Sequence, residues 1–242
     1  MKRVDNRSQA ESRHAFGLSG NQLKLLALVC MTCDHVGIHL LPALPILRCI
    51  GRLAMPVFAY MIAEGCRYTR NRLRYTLSLA AVALLCQTVY FVAMGSLYQC
   101  IMVTFTLSVG LIWMVDLFRR KPGLLTGGAV LLAVGGAWFL TMELPALLPK
   151  TDFYIDYRFW GVMLPVLIYL GRDRRERLIL TGLGLTALGW QQGGIQWLAL
   201  LVLPLLALYN GTRGKRKLKY LFYIYYPSHL AAIYLLGLLL RK

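Results

Sequence analysis

LKLLALVCMTCDHVGIHLL, residues 23–41, sets an aspartate beside a histidine in a run whose other members are almost all apolar. At 1.5 Å per residue a helix of this length spans roughly 28 Å, close to the hydrocarbon thickness of a bilayer. The stretch reads as a transmembrane helix that carries Asp34 and His35 in its interior and His39 one turn further on. Eight further stretches lack charge almost entirely, at 50–66, 73–94, 100–118, 124–143, 153–171, 178–191, 195–210 and 218–240. With the first, taken as 22–41, they predict an all-α fold, a polytopic transmembrane helical bundle of about nine helices. Segments 178–191 and 195–210 are short and interrupted by Gly182, Gly184, Gly189, Gly193 and Gly194. They read either as two crossings or as a re-entrant hairpin.

Composition agrees with this fold. The 242 residues are 58% hydrophobic and 15% charged, with mean hydropathy +0.57, too apolar for a water-soluble domain of this length. The sequence divides into a polar, basic tail over 1–20, without a cleavage pattern, and a transmembrane domain over 21–242. The net charge of +17 raises the question of nucleic acid. Position answers it: of 27 Lys and Arg, 21 fall in the tail with Lys24, in 67–74, in 119–121, in 172–177 and in 213–219, all alternate gaps. That is the positive-inside pattern of a multi-pass protein with a cytoplasmic N-terminus and an extracytoplasmic C-terminus, so membrane lipid and not nucleic acid is the expected surroundings.

Cys30 and Cys33 form a CxxC on the first helix without further ligands, so no metal is expected. Cys49 and Cys100 fall near the same predicted face, where an oxidising compartment would permit a bridge.

An ionised side chain at the bilayer centre costs about 2.5–3.5 kcal/mol on insertion scales, so the few intramembrane charges direct attention to function. Counting from Lys24 to His35 gives roughly 16 Å, and from Lys219 to His229 roughly 15 Å, which puts both imidazoles at one depth near the midplane. Arg52 lies roughly 22 Å above Arg67 on the second span, and Glu64 lies near the basic boundary. Asp34 is expected to pair with Arg52. Pro56 removes the donor that the Arg52 carbonyl would meet, so a bend is expected there. Asp116, Asp156 and Arg158, at span ends, read as solvated interface. In GCRYTRNRLRY, residues 65–75, four arginines cluster at the basic end, and the planar guanidinium suits phosphate.

Three stretches together, LKLLALVCMTCDHVG (23–37), GRLAMPVFAYMIAEGCRYTRNR (51–72) and FYIYYPSHLAAIYLL (222–236), resemble the TraX family of membrane proteins, related to the acyltransferase family 3 group. The resemblance implies a bacterial inner-membrane acyltransferase that passes acetyl from acetyl-coenzyme A to an amine or hydroxyl of an extracytoplasmic acceptor, such as a pilin N-terminus or an envelope glycan. It implies a catalytic pair of Asp34 and His35, joined by His229, and a substrate-shaping role for Arg52 and Glu64. Arg67, Arg70, Asn71 and Arg72 are expected to hold the coenzyme. The residues alone also admit a transporter or flippase, with the same acids and histidines as a proton or substrate relay.

Overall fold

Ser19 opens the bundle. Its hydroxyl accepts from the Gln22 N–H while the Gln22 side chain accepts from the Ser19 N–H at 2.8 Å, a capping box on α1, Gly20–His39. The computed structural model describes residues 17–214 and 218–240; residues 1–16 of the expected tail, 215–217 of the last basic loop, Arg241 and Lys242 lie outside the described residues.

After α1 the chain turns through Pro42, and Pro45 at the first helical position starts α2, Pro45–Gly51. This short helix lies back along α1. A Cβ on Gly51 would sit 2.3 Å from the Asp34 Cβ, so only glycine lets the two backbones come this close. A turn at Arg52 and Leu53 follows, then α3, Ala54–Tyr68. The expected span 50–66 is therefore two helices, and the break falls at Arg52, whose carbonyl Pro56 leaves without a helical donor.

Asn71 caps α4, Arg72–Met94, by accepting from the Arg74 N–H at 2.9 Å. Next come α5, Ile101–Arg120, and α6, Leu124–Trp138, which runs through a π-helical turn at Phe139–Glu143 into α7, Leu144–Leu147. Asp173 caps α9, Arg174–Gln192, after α8, Arg158–Leu170. A 3₁₀ segment, Gly194–Leu201, continues into α10, Val202–Ala207, and α11 covers Lys219–Leu240.

Among the described residues four stretches are long and apolar enough to cross a membrane: Pro45–Tyr68, Arg72–Val92, Ile101–Arg120 and Leu124–Leu147. Leu124, Leu125, Leu131 and Leu132 point away from the core, as lipid-facing side chains do. The core itself sits where α1, α3, α5, α8 and α9 meet, around the fully buried Leu23, Tyr60, Ile112, Leu164, Ile168 and Leu188. The fold is a polytopic helical membrane bundle.

The bundle has two distinguishable ends. At one, Gly20 N–H donates to Thr212 and Asn21 N–H to Arg213, Arg67 reaches the carbonyls closing α8, and Arg72 reaches Asp116 on α5. The described parts of the basic loops thus assemble at a single end. At the other, Gln99 and Ile155 form a short parallel bridge, and Gln191 at the top of α9 receives the Trp160 N–H.

The same ends decide the reading of residues 174–207. Arg174, at the start of α9, donates to the Ala207 carbonyl at the end of α10, so the return leg comes back the whole height of α9. Nineteen α-helical residues rise roughly 28 Å, whereas fourteen would rise only about 21 Å. Winding eight of the fourteen as 3₁₀, at about 2.0 Å per residue, brings the return leg to roughly 25 Å. The pair is an antiparallel hairpin of nearly matched legs.

Candidate active site

Asp34 lies on the face of α1 that α2 covers, and it is buried. Arg52 Nη2 sits 2.5 and 2.6 Å from its two carboxylate oxygens, and Arg48 Nε donates to Oδ1 at 3.0 Å. The expected Asp34–Arg52 pair is thus present, and Arg48, one helical turn earlier on α2, joins it. Arg52 is fixed on its other side as well: Nη1 donates to Gln196 Oε1 at 3.1 Å. A charge pair taken out of water is tolerable only when its remaining donors and acceptors are also met, and here nearly all are.

One residue along α1, His35 Nδ1 lies 2.8 Å from His229 Nε2 on α11, which confirms the matching depths. The other ring nitrogen of His229 lies 2.9 Å from the Tyr225 carbonyl. A carbonyl only accepts, so His229 Nδ1 carries a hydrogen, and in the neutral ring Nε2 is an acceptor. His35 Nδ1 must then be the donor, which leaves the lone pair of His35 on Nε2. Tyr225 also stacks on His229, with ring centroids 5.3 Å apart, and its hydroxyl meets Thr32 Oγ1 at 2.7 Å. Two polar contacts therefore tie α11 to α1, one turn apart.

A cavity of about 470 Å³ opens beside these residues. Asp34, His35, Arg48 and Arg52 border it, while His229 stands behind His35 and does not. Exposed His39 and Asp152 mark its rim at the end away from the basic loops. The Ser96 hydroxyl and the Leu97 N–H hold the Asp152 carboxyl below the usual carboxylate range. Met31, Met55 and Phe58 also border the cavity.

Asp156 also borders the cavity, contrary to its expected place at a solvated interface. The loop before α8 folds inward because Asp156 N–H donates to the Gln99 carbonyl at 3.0 Å and Thr104 Oγ1 donates to the Asp156 carbonyl at 2.7 Å. Tyr157 and Arg158 then follow with φ of 59° and 47°, a left-handed pair without glycine. Such backbone strain, about 1–3 kcal/mol per residue, persists only where the surroundings over-determine it. It leaves Tyr157, which borders the cavity, beside Asp156.

The remaining expected site residues lie elsewhere. Glu64 is buried at the basic end, paired with Arg177 and accepting from the Tyr209 hydroxyl at 3.3 Å. Arg67 donates to the carbonyls of Tyr169, at 2.5 Å, and Gly171. Arg72 pairs with Asp116, which is buried and also accepts from the Tyr169 hydroxyl at 2.8 Å; the solvated interface expected for Asp116 is replaced by this clasp. Asn71 is a helix cap. Arg70 is exposed. None of residues 64–74 borders the cavity.

All six cysteines are free, so Cys49 and Cys100 are not joined. Among the described residues no three His, Cys, Asp or Glu side chains gather as a metal would require.

A multi-pass membrane protein with a histidine pair and an arginine-clamped carboxylate beside a cavity is the class that fold and site define. The TraX protein family model matches residues 19–237, nearly the whole described chain, and this chain belongs to that family. Over 38 residues, 16% of its length, it is 58% identical to the uncharacterized protein RP591 of Rickettsia prowazekii (strain Madrid E). That similarity spans 15% of the Rickettsia protein. No solved structure matches.

Proposed function

We propose that this membrane protein is an acyltransferase that moves acetyl from acetyl-coenzyme A to an amine or hydroxyl of an extracytoplasmic acceptor. The observation that carries the reading is the hydrogen-bond relay from the Tyr225 carbonyl through His229 to His35, which fixes the tautomer that offers His35 Nε2 as a base in a cavity shared with Arg52. Acyl transfer needs such a base and a positive group for the developing oxyanion. As the acceptor nitrogen or oxygen bonds to the thioester carbonyl carbon, its proton passes to His35 Nε2 and the carbonyl electrons move to oxygen beside Arg52. Collapse of the tetrahedral intermediate breaks the C–S bond, and the proton leaves with the thiolate as free coenzyme A. Asp34 holds Arg52 in place.

The basic loops face the cytoplasm in this reading, with the cavity mouth outward. The coenzyme docks at the basic end, and its acetyl arm enters past Met31, Met55 and Phe58, since methionine side chains shift readily. Arg70 and Arg74 are the exposed arginines of 65–75.

The test uses purified protein, radiolabelled acetyl-coenzyme A and a cell-envelope fraction. His35→Ala is expected to retain the parent's thermal unfolding profile and to lose label transfer about 10²–10⁴-fold, the usual contribution of a general base. Full transfer by a folded His35→Ala protein removes the assignment. A cavity open towards one end also suits a carrier, so coenzyme A is expected to raise the melting temperature where candidate solutes do not.

A further inference from the structure

Gln196 belongs to none of the sequence motifs, yet it is 4% exposed and touches the guanidinium of Arg52. The turn before it is built to deliver it. Gly193 and Gly194 have φ of 68° and 53°, and no atom lies within 4 Å of where either Cβ would stand, so glycine serves backbone direction there and not space. The 3₁₀ segment that follows carries Gln196 as its third residue, against α2 and the Arg52 turn.

The amide has one possible orientation. Arginine only donates, so Oε1 faces Arg52. Nε2 is then left buried without a hydrogen-bond partner, an arrangement proteins seldom keep. Glutamate would fit the same space, accept more strongly from arginine and leave no orphaned donor. The difference lies in charge. Arg48 and Arg52 already share the carboxylate of Asp34, and Asp156, which borders the same cavity, acts on Arg52 electrostatically without forming an ion pair with it. A carboxylate at 196 would add a further negative charge against Arg52, and a neutral amide does not.

We infer that Gln196 is a positioning residue for acyl transfer: it holds the Arg52 guanidinium against the cavity without adding a negative charge beside the oxyanion. This rests on the acyltransferase reading above. A second neutral acceptor completes what Asp34 begins, so that neither arginine nitrogen swings away as the tetrahedral centre forms.

The experiment follows label transfer from radiolabelled acetyl-coenzyme A to an envelope fraction, with kcat and KM for acetyl-coenzyme A and thermal unfolding measured on full-length protein. Gln196→Glu is expected to melt no lower than the parent, to keep KM within twofold and to lose at least tenfold in kcat. Gln196→Met, neutral and similar in length but without the acceptor, is expected to lose kcat with KM unmoved, and it decides the matter if the Glu variant fails to fold. Parental kcat in either folded variant, with His35→Ala inactive, overturns the inference and leaves the acyltransferase reading standing. Full transfer by His35→Ala overturns the acyltransferase reading itself.

Discussion

Both ends of this bundle bury acids against arginines, and they use them differently. At the basic end Glu64 pairs with Arg177 and Asp116 with Arg72; tyrosine hydroxyls of Tyr209 and Tyr169 complete each carboxylate, and neither pair borders the cavity. At the other end Asp34 pairs with Arg48 and Arg52, and the three side chains line open space. The chemistry of the pairs is the same. What separates them is what fills the volume alongside: packed rings make a clasp, and a void leaves open space beside the charges.

The largest test of that contrast is to remove one acid from each end. Asp34→Asn leaves two arginines uncompensated, and breaking a buried pair from one side costs about 3–5 kcal/mol. Acetyl transfer is expected to vanish with it, beyond what loss of folded protein explains. Asp116→Asn is expected to be destabilised on a similar scale, while the fraction that remains folded keeps its specific activity. Equal loss of specific activity in both would erase the distinction between clasp and site; the measurements are unfolding in detergent and label transfer per folded molecule.

A smaller effect is expected at Gly51, where an added methyl would strike Asp34 and force α2 off α1. Overpacking of this kind costs about 1–3 kcal/mol, and Gly51→Ala should lower both melting temperature and activity, since the Asp34 clamp depends on that approach. Unchanged activity would show that the clamp tolerates displacement. The smallest effect on the fold is expected at Arg70. Arg70→Ala should leave the unfolding profile as it is and raise KM for acetyl-coenzyme A about tenfold, equivalent to about 1.4 kcal/mol. An unmoved KM would detach the coenzyme from this face.

Depth along a transmembrane helix is legible in sequence because the last basic residue is a fixed mark and each residue adds a constant rise. That is why the matching depth of His35 and His229 is legible; the pairing of Asp34 with Arg52 follows instead from the cost of leaving either charge alone in the membrane. The same ruler puts Glu64 at the basic boundary; the structure adds Arg177 as its partner there and keeps it off the cavity. Arg48 escaped notice because it precedes the apolar run at 50–66, and nothing in the sequence says that α2 folds back along α1. Gln196 carries no charge, so the cost of burying an ion, the signal that exposes Asp34, never marked it. Asp116 looked solvated from its own helix; only the neighbouring α4 brings Arg72 across to cover it. Arg67 and Arg72, which composition offers as free cations, are occupied by partners no local pattern reveals.

The imidazole pair joins α1 to α11, residues 194 positions apart in the chain. Synthesis from the N-terminus lays down every other wall of the chamber before the partner of His35 exists. On the acyltransferase reading, a chain that has not yet made α11 lacks the partner that sets the protonation pattern of His35.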